Sequence, residues 1–333
     1  MKRRTNVIGT IALSELKGIG PAFLKKNVFN ESFLSDDYLE SIRRIIEFGN
    51  KQIDAETIYF EVDKAKEIVF KCSEENISII DFNSQDYPTR LKELKDPPSI
   101  LYCKGNLELL NERTIGIIGT REPTGSGEII AERIGDFFSR SNWTICNGLA
   151  GGIDNFSIKS GSGYHEKILG VLAGGLNYNR VKTLHKKTSQ VAEQVLENGG
   201  LIVSEYPPDR KEDTFSIVNS CRIQAGLSDA IILIQSSLSG GSKFAVKSFC
   251  QTLRPFGVIS PIEKERNLSS YEANMEIIKN RIKGLAKFTG QKENRILTSE
   301  IFSIESKEDY LAFENLAKTY KTNKSFEGLS LFD

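Results

Sequence analysis

Residues 114–128 read TIGIIGTREPTGSGE. A short β-branched run stops at Gly119, and a polar loop carrying one arginine and two further glycines follows. Apolar residues at helical spacing then resume in GEIIAERIGDFFSRS (127–141). Strand, glycine loop and amphipathic helix in that order are one unit of an α/β fold. What such a loop grips is the question the rest of the chain has to answer.

The unit recurs on both sides. ISIIDF (77–82), SILYCKG (99–105), WTICNG (143–148), KILGVLAG (167–174), GLIVSEY (200–206), DAIILIQ (229–235) and PFGVIS (255–260) read as strands, and helical stretches such as TLHKKTSQVAEQVLENG (183–199) separate them. Near-continuous apolar strands alternating with helices predict a doubly wound, Rossmann-like parallel sheet covered on both faces, over residues 77–262. Ligands of such sheets bind at the carboxyl ends of the strands.

Residues 1–76 read as a small helical domain of helix-hairpin-helix type. LSELKGIGPAFLKKNVF, DDYLESIRRIIEFGN and VDKAKEIVFKCSEEN carry apolar residues every three or four positions. The GIG turn at Gly18–Gly20 either aims backbone N–H groups at a DNA phosphate or simply joins two helices. After Pro261 glycines thin out and charge rises, so residues 263–333 read as a helical segment: one helix in SSYEANMEIIKNRIKGLAKF, another in KEDYLAFENLAKTYK, and a loose tail in SFEGLSLFD.

Composition narrows the function. Lysine plus arginine and aspartate plus glutamate both total 44, so net charge names no partner, although a neutral total can hide a basic face. No run of about 18 apolar residues is present to cross a membrane, and the basic N-terminus lacks a cleavable leader pattern, which points to the cytoplasm. The five cysteines, Cys72, Cys103, Cys146, Cys221 and Cys250, are far apart and joined by only two histidines, a pattern of buried reduced thiols rather than of a zinc site.

Four glycine-bearing loops follow strands: GTREPTGSG (119–127), NGLAGGID (147–154), AGGLNYNR (173–180) and SSLSGGSKFAV (236–246). Glycine permits close backbone approach and helix N-termini attract anions, so several such loops at one sheet edge predict a phosphate-binding crevice. Neither the G-x-G-x-x-G dinucleotide fingerprint nor the Walker G-x-x-x-x-G-K-[ST] pattern occurs, which disfavours NAD and ATP; no cofactor is expected.

DYPTRLKELKDPPSILYCKG (86–105), followed by IIGTREPTGSG, NGLAGGID, GLIVSEYP, RIQAGLSDAIILIQ and SGGSKFAV, resembles the DprA/Smf family of DNA-processing proteins in order and spacing, over about residues 10–260. The resemblance implies a Rossmann-like domain that binds single-stranded DNA, as a homodimer, and helps load a RecA-type recombinase, with no catalytic activity. By position, the family's G-[ST]-R motif falls on Gly119, Thr120 and Arg121, and its G-x-A-x-G-[IV]-D motif on Gly148, Ala150, Gly152 and Asp154. The chain departs from the family in having Ser157 and Ile158 where Ala-His is common, Ser220, Cys221 and Arg222 for Arg-Asn-Arg, and Arg180 and Val181 for a Tyr-Pro pair.

Arg121 is the first candidate, because a guanidinium at a glycine loop suits bidentate phosphate contact; pairing with Glu122 or Glu128 is the alternative. Gly240, Gly241 and Ser242 lead into Lys243 at a helix start, with Lys247 one turn on. Arg222 either lines the crevice or makes a structural ion pair. Phe215 lies where the family places an aromatic, with a spacing to Arg222 that differs by about two residues, and either stacks on a base or packs in the core. Asp154 and Glu205 read as loop-fixing carboxylates.

Two further resemblances give competing functions. Some Rossmann-like enzymes cleave nucleoside monophosphates with a G-G-x-G-T-x-x-E signature, but this chain has Lys243, Phe244 and Lys247 in place of its Gly, Thr and Glu, which argues against that chemistry. DprA-like proteins also resemble the antitoxin halves of phage-defence pairs, so a toxin is the alternative partner.

Overall fold

The structure is a computed structural model that describes residues 2–27 and 37–323. The N-terminal part consists of α1 (Lys2–Glu15), α2 (Pro21–Asn27), α3 (Tyr38–Phe48) and α4 (Ala55–Glu74). Asp37 and Asp54 cap α3 and α4 by accepting backbone N–H groups at 2.8 Å from Leu39 and Thr57, which satisfies donors that a helix start leaves open. Ile58, Val62, Ala65, Ile68 and Cys72 form the buried stripe of α4. The GIG stretch is the turn between α1 and α2, with Gly18 at φ +84°.

The central sheet comprises β1 (Ser78–Asp81), β2 (Ile100–Gly105), β3 (Thr114–Ile118), β4 (Thr144–Asn147), β7 (Ile168–Val171), β8 (Leu201–Ser204), β9 (Ala230–Leu233), β10 (Phe256–Ile259) and β11 (Ile301–Ile304). Between β4 and β7 lie α6 (Ile153–Ser157) and the small hairpin of β5 (Lys159–Ser160) and β6 (Gly163–Tyr164). The sheet order is β1-β2-β8-β7-β4-β3-β9-β10-β11. Strands β8 to β11 along this order pair in parallel, and β2 runs antiparallel to both β1 and β8. Helices α5 (Gly125–Arg140), α7 (Lys186–Glu197), α8 (Thr214–Leu227) and α9 (Lys243–Phe249) follow β3, β7, β8 and β9. Every residue of β3, β4, β7, β8, β9 and β10 is buried, as a sheet covered on both faces requires. Burial pushes the Cys72 and Cys146 thiols up to about 12, so both stay protonated.

The C-terminal part differs from its helical reading. Its first predicted helix breaks at Arg281 (φ +50°) into α10 (Glu272–Asn280) and α11 (Ile282–Thr289). The break lets α11 pack against α10 at Gly284, where a Cβ would lie 2.3 Å from the Glu276 carbonyl oxygen. The second difference is β11, a strand that pairs with β10 from Phe256↔Ile301 to Ile259↔Ile304 and so belongs to the central sheet. Four residues of mixed polarity between charged stretches carry too little alternation to stand out. The second predicted helix is α12 (Asp309–Asn323); the tail at 325–333 lies outside the described residues. Trp143 donates its indole N–H to Glu314 of α12 at 2.9 Å, and Phe137 meets Tyr310 edge-on at 5.5 Å, so α12 closes over α5 and β4.

At the amino edge of the sheet two buried arginines collect the loop carbonyls. Arg254, only 2% exposed, donates to the carbonyls of Gly226, Ser228 and Arg90 at 2.9, 2.6 and 2.7 Å and to Glu93 at 2.7 Å. Arg90 donates to the carbonyls of Leu110 and Glu112 and to the Thr114 hydroxyl, while Asp229 accepts the Thr114 backbone N–H at 2.9 Å. Replacing Arg254 with Met is therefore expected to orphan these carbonyls and lower stability by about 3 kcal/mol, with Arg254→Lys recovering only part. Thermal or urea unfolding checks this; an unchanged midpoint for Arg254→Met would refute the staple.

Candidate nucleic-acid interface

Chain order reverses between β3 and β9: β4, β7 and β8 add to one side of β3, and β9, β10 and β11 to the other. The loops leaving the carboxyl ends of β3 and β9 therefore flank the crevice of the sheet. They are tied together directly. The Thr120 N–H donates to the Gln235 carbonyl at 2.8 Å, and the Gln235 side chain accepts from the Thr124 N–H at 3.0 Å while donating to Ser270 at 2.8 Å. Gly119 is needed here, because a Cβ would lie 2.6 Å from Ile153 Cγ1. Thr124 caps α5 through the Gly127 N–H. At that helix start Glu265, from the segment after β10, accepts the hydroxyls of Thr124 and Ser126 at 3.0 and 2.8 Å. The chain's own carboxylate thus occupies the place where a nucleotide phosphate binds in related sheets.

The loop after β4 packs against this platform. Gly152, at φ +74°, brings its backbone so close that a Cβ would lie 2.4 Å from the Thr120 carbonyl oxygen, and the Ile153 N–H donates to that oxygen at 3.1 Å. Asp154 accepts the N–H groups of Gly148 and Ala150 at 3.0 and 3.3 Å. Burial pushes the Asp154 carboxyl up to about 6, against the opposing pull of these two N–H groups and of the Arg121 charge. Asn147 holds the other end of the turn through the Leu149 N–H, the Asp154 carbonyl and the Ser157 hydroxyl.

These bonds correct one part of the sequence reading. The N–H groups of Thr120, Glu122, Thr124, Gly127 and Gly148 are spent inside the protein. Gly119, Gly148 and Gly152 serve close backbone packing, and the loops form a stiff platform rather than an open nest. What faces solvent is side chains. Arg121 is exposed and, among the described residues, forms no salt bridge with Glu122, Glu128 or any other carboxylate. Phe215, in the first turn of α8, is 69% exposed, so the core-packing reading fails for it. Arg222 is buried; its guanidinium lies 2.6 Å from Glu205 and 3.4 Å from Asp96, which makes it the structural ion pair. Gly240 and Gly241 make the turn before α9, Ser242 donates its hydroxyl to Ser236 at 2.8 Å, Lys243 lies over the Phe244 ring, and Lys247 is exposed.

Three contributors escaped the sequence reading. Gln235 and Glu265 weld the platform, and neither sits in a glycine loop. The third is a set of exposed cations: Lys182 and Lys211 in the loops after β7 and β8, and Lys186 and Lys187 at the start of α7. The runs HKK (185–187), at the start of a predicted helix, and DRK (209–211), just past a predicted strand, were the available signal.

With this geometry in hand, comparison with known proteins is informative. Residues 78–293 match the family profile described as DNA recombination-mediator protein A. The DNA processing protein DprA of Bacillus subtilis is 32% identical over 196 residues, 57% of this chain and 64% of that protein. Protein Smf of Synechocystis is 29% identical over 246 residues, 71% of this chain and 60% of that protein. The matched stretches thus span less than two thirds of these relatives' own lengths. Two solved structures share the fold. DNA processing protein A of Streptococcus pneumoniae has a TM-score of 0.66 at 18% identity, covering 92% of this chain and 96% of that one. The Helicobacter pylori protein, described for its single-stranded DNA binding mode, has a TM-score of 0.55 at 23% identity, covering 74% and 96%. A family profile matched across well over half the chain, with its glycine motifs forming the welded platform at the sheet's switch point, establishes that the chain belongs to the DNA recombination-mediator protein A family.

Proposed function

We propose that this protein binds single-stranded DNA along the carboxyl edge of its sheet, leaves it chemically unchanged, and passes it to a recombinase of the RecA type, acting as a homodimer. The observation that carries the DNA reading is that segments leaving the same edge of the sheet, after β3 and after β8, each expose a residue suited to a strand: the cation Arg121 and the aromatic Phe215. A guanidinium suits phosphate oxygens and a phenyl face suits any base, so the site grips a strand without reading its sequence. Family membership and the single-stranded DNA named for the Helicobacter pylori neighbour support the same ligand; the recombination-mediator description supports the handover.

Binding without catalysis rests on the residues present. Asp154 is committed to two backbone N–H groups and Glu205 to Arg222, so neither is poised as a general base. Lys247 stands where a nucleoside-monophosphate-cleaving site needs a glutamate. No feature of the described residues favours the toxin-partner alternative.

Arg121→Ala is expected to weaken single-stranded DNA binding about ten- to a hundredfold, the loss of one charge-assisted contact of roughly 1.5–3 kcal/mol, with the melting temperature kept. Arg121→Lys should recover part of that loss. Fluorescence anisotropy at low and high salt reads both; parent-like binding by a folded Arg121→Ala protein would exclude this edge as the DNA site. Incubation with AMP should release no free base above a heat-killed control.

Asp154 gives a pH signature. Its folded value of about 6 lies above the ordinary 3.8, so the folded state takes up the proton more readily than the unfolded chain. Stability from this group is full below about pH 4 and is lost as pH rises through about 6, by about 3 kcal/mol in all. Asp154→Asn should lack this component, so its stability relative to the parent should rise between about pH 4 and pH 7 in urea titrations. A constant difference across that range would contradict the buried carboxylate's role.

A further inference from the structure

The start of α5 holds an anion that belongs to the chain itself. Gly125 and Ser126 open this 16-residue helix, so their backbone N–H groups have no partner within it, and among the described residues these two groups make no other hydrogen bond. The helix dipole adds partial positive charge at the same end. A Cβ built on Gly125 would meet nothing within 4 Å, so the backbone there is open to approach; the neighbouring Gly127, by contrast, is closed in, with a Cβ 2.3 Å from Gln235 Oε1.

Into this end the segment after β10 inserts Glu265. Its carboxylate is buried and takes one hydroxyl on each oxygen, Thr124 at 3.0 Å and Ser126 at 2.8 Å. A further group faces the same place. Tyr271 is fully buried, and its hydroxyl lies beside Thr124 and Glu265 without closing a hydrogen bond. Three hydroxyls and two N–H groups therefore gather at one helix end, where the carboxylate serves only two of the five. A buried hydroxyl left unpaired is costly, and an anion with more oxygens than a carboxylate would give it a partner.

Glu265 is held in place from the sheet. Its segment is shaped by 3₁₀ turns at Glu263–Glu265 and Ser269–Tyr271. Ser270 accepts from the Gln235 side chain at 2.8 Å, and Asn274 accepts the Ser236 N–H at 3.0 Å while donating to the carbonyls of Ile234 and Ile259 at 2.9 and 3.0 Å. These bonds fasten the segment to the carboxyl ends of β9 and β10, beside the crevice.

We propose that Glu265 is a built-in phosphate surrogate that sets specificity: it fills the anion position at the first turn of α5 and denies it to free phosphate and to the phosphate of a mononucleotide. The sheet ends in an arrangement that binds small phosphates in other folds of this class, and this one carboxylate closes it. The inference does not depend on the DNA reading. A glutamate that merely capped the helix would leave no binding site behind when removed.

The test melts the parent, Glu265→Ala and Glu265→Gln proteins in chloride and in phosphate at equal ionic strength. Glu265→Ala should melt below the parent in chloride, and about 20 mM phosphate should raise its Tm by about 2–4 °C more than it raises the parent's. Glu265→Gln, whose amide still fills the space, should respond like the parent. AMP at the same concentration separates the two sources: a larger shift than with inorganic phosphate names a mononucleotide as the ligand kept out, and an equal or smaller one names free phosphate. A folded Glu265→Ala protein with the parent's phosphate response overturns the proposal, as does a Glu265→Gln response as large as that of Glu265→Ala. If Glu265→Ala is unfolded in chloride, folding restored by phosphate supports the surrogate, and a protein unfolded in both buffers overturns it.

Discussion

Two buried guanidinium groups decide where the central strands begin. Arg254 and Arg90 gather carbonyls from the 3₁₀ turn at Thr89–Glu93, the turn between α8 and β9, and the approach to β3, and Asp229 fixes the first N–H of β3. Burying a guanidinium is costly unless its donors are mostly paired, so each group ties down several chain segments at once. With β3, β9 and β10 anchored at their amino ends, their register is fixed, and so is the height at which each strand delivers its loop to the opposite edge. Precise loops at one edge of the sheet are a consequence of charge burial at the other.

What those loops build is unlike a nucleotide cradle. A cradle keeps backbone N–H groups unpaired for the ligand; here the Thr120 and Thr124 N–H groups serve Gln235, those of Glu122 and Gly127 serve hydroxyls of their own loop, and Glu265 fills the helix start. On the DNA reading proposed above, the ligand chemistry lies outward on side chains. That placement fits a polymer better than a small molecule, because a strand passing over a surface needs repeated modest contacts rather than one enclosing site.

The sheet was legible in the sequence because buried parallel strands announce themselves. Runs such as TIGIIG and DAIILIQ are apolar throughout and end in glycine or polar loops, and eight of the nine strands of the central sheet stood out this way. The exception, β11, is an edge strand only partly buried, so its residues carry no unbroken apolar signal. The split of α10 from α11 was hidden for another reason: helical periodicity continues across Arg281, and only the need to seat Gly284 against Glu276 breaks it. At the candidate site, Arg121 was picked out by its motif, while the exposure of Phe215 was not readable, since its position in the sequence suits base stacking and core packing alike. The roles of the glycines were not, since spacing cannot tell an N–H that awaits a ligand from one that a neighbouring loop will consume. Arg222 was ambiguous for the same reason: its partners, Glu205 and Asp96, are distant in sequence.

The family-matched stretch ends at residue 293, but the folded unit does not. Beyond it, β11 covers the outer edge of β10, Phe313 packs over Gly257, and Glu314 accepts the only tryptophan's N–H. A protein cut at the family boundary would present a bare apolar strand edge to its neighbours in solution and leave a buried indole donor unpaired. The homology boundary is therefore the wrong place to divide this chain for expression or domain exchange. The smallest piece that keeps its own surface closed runs through α12.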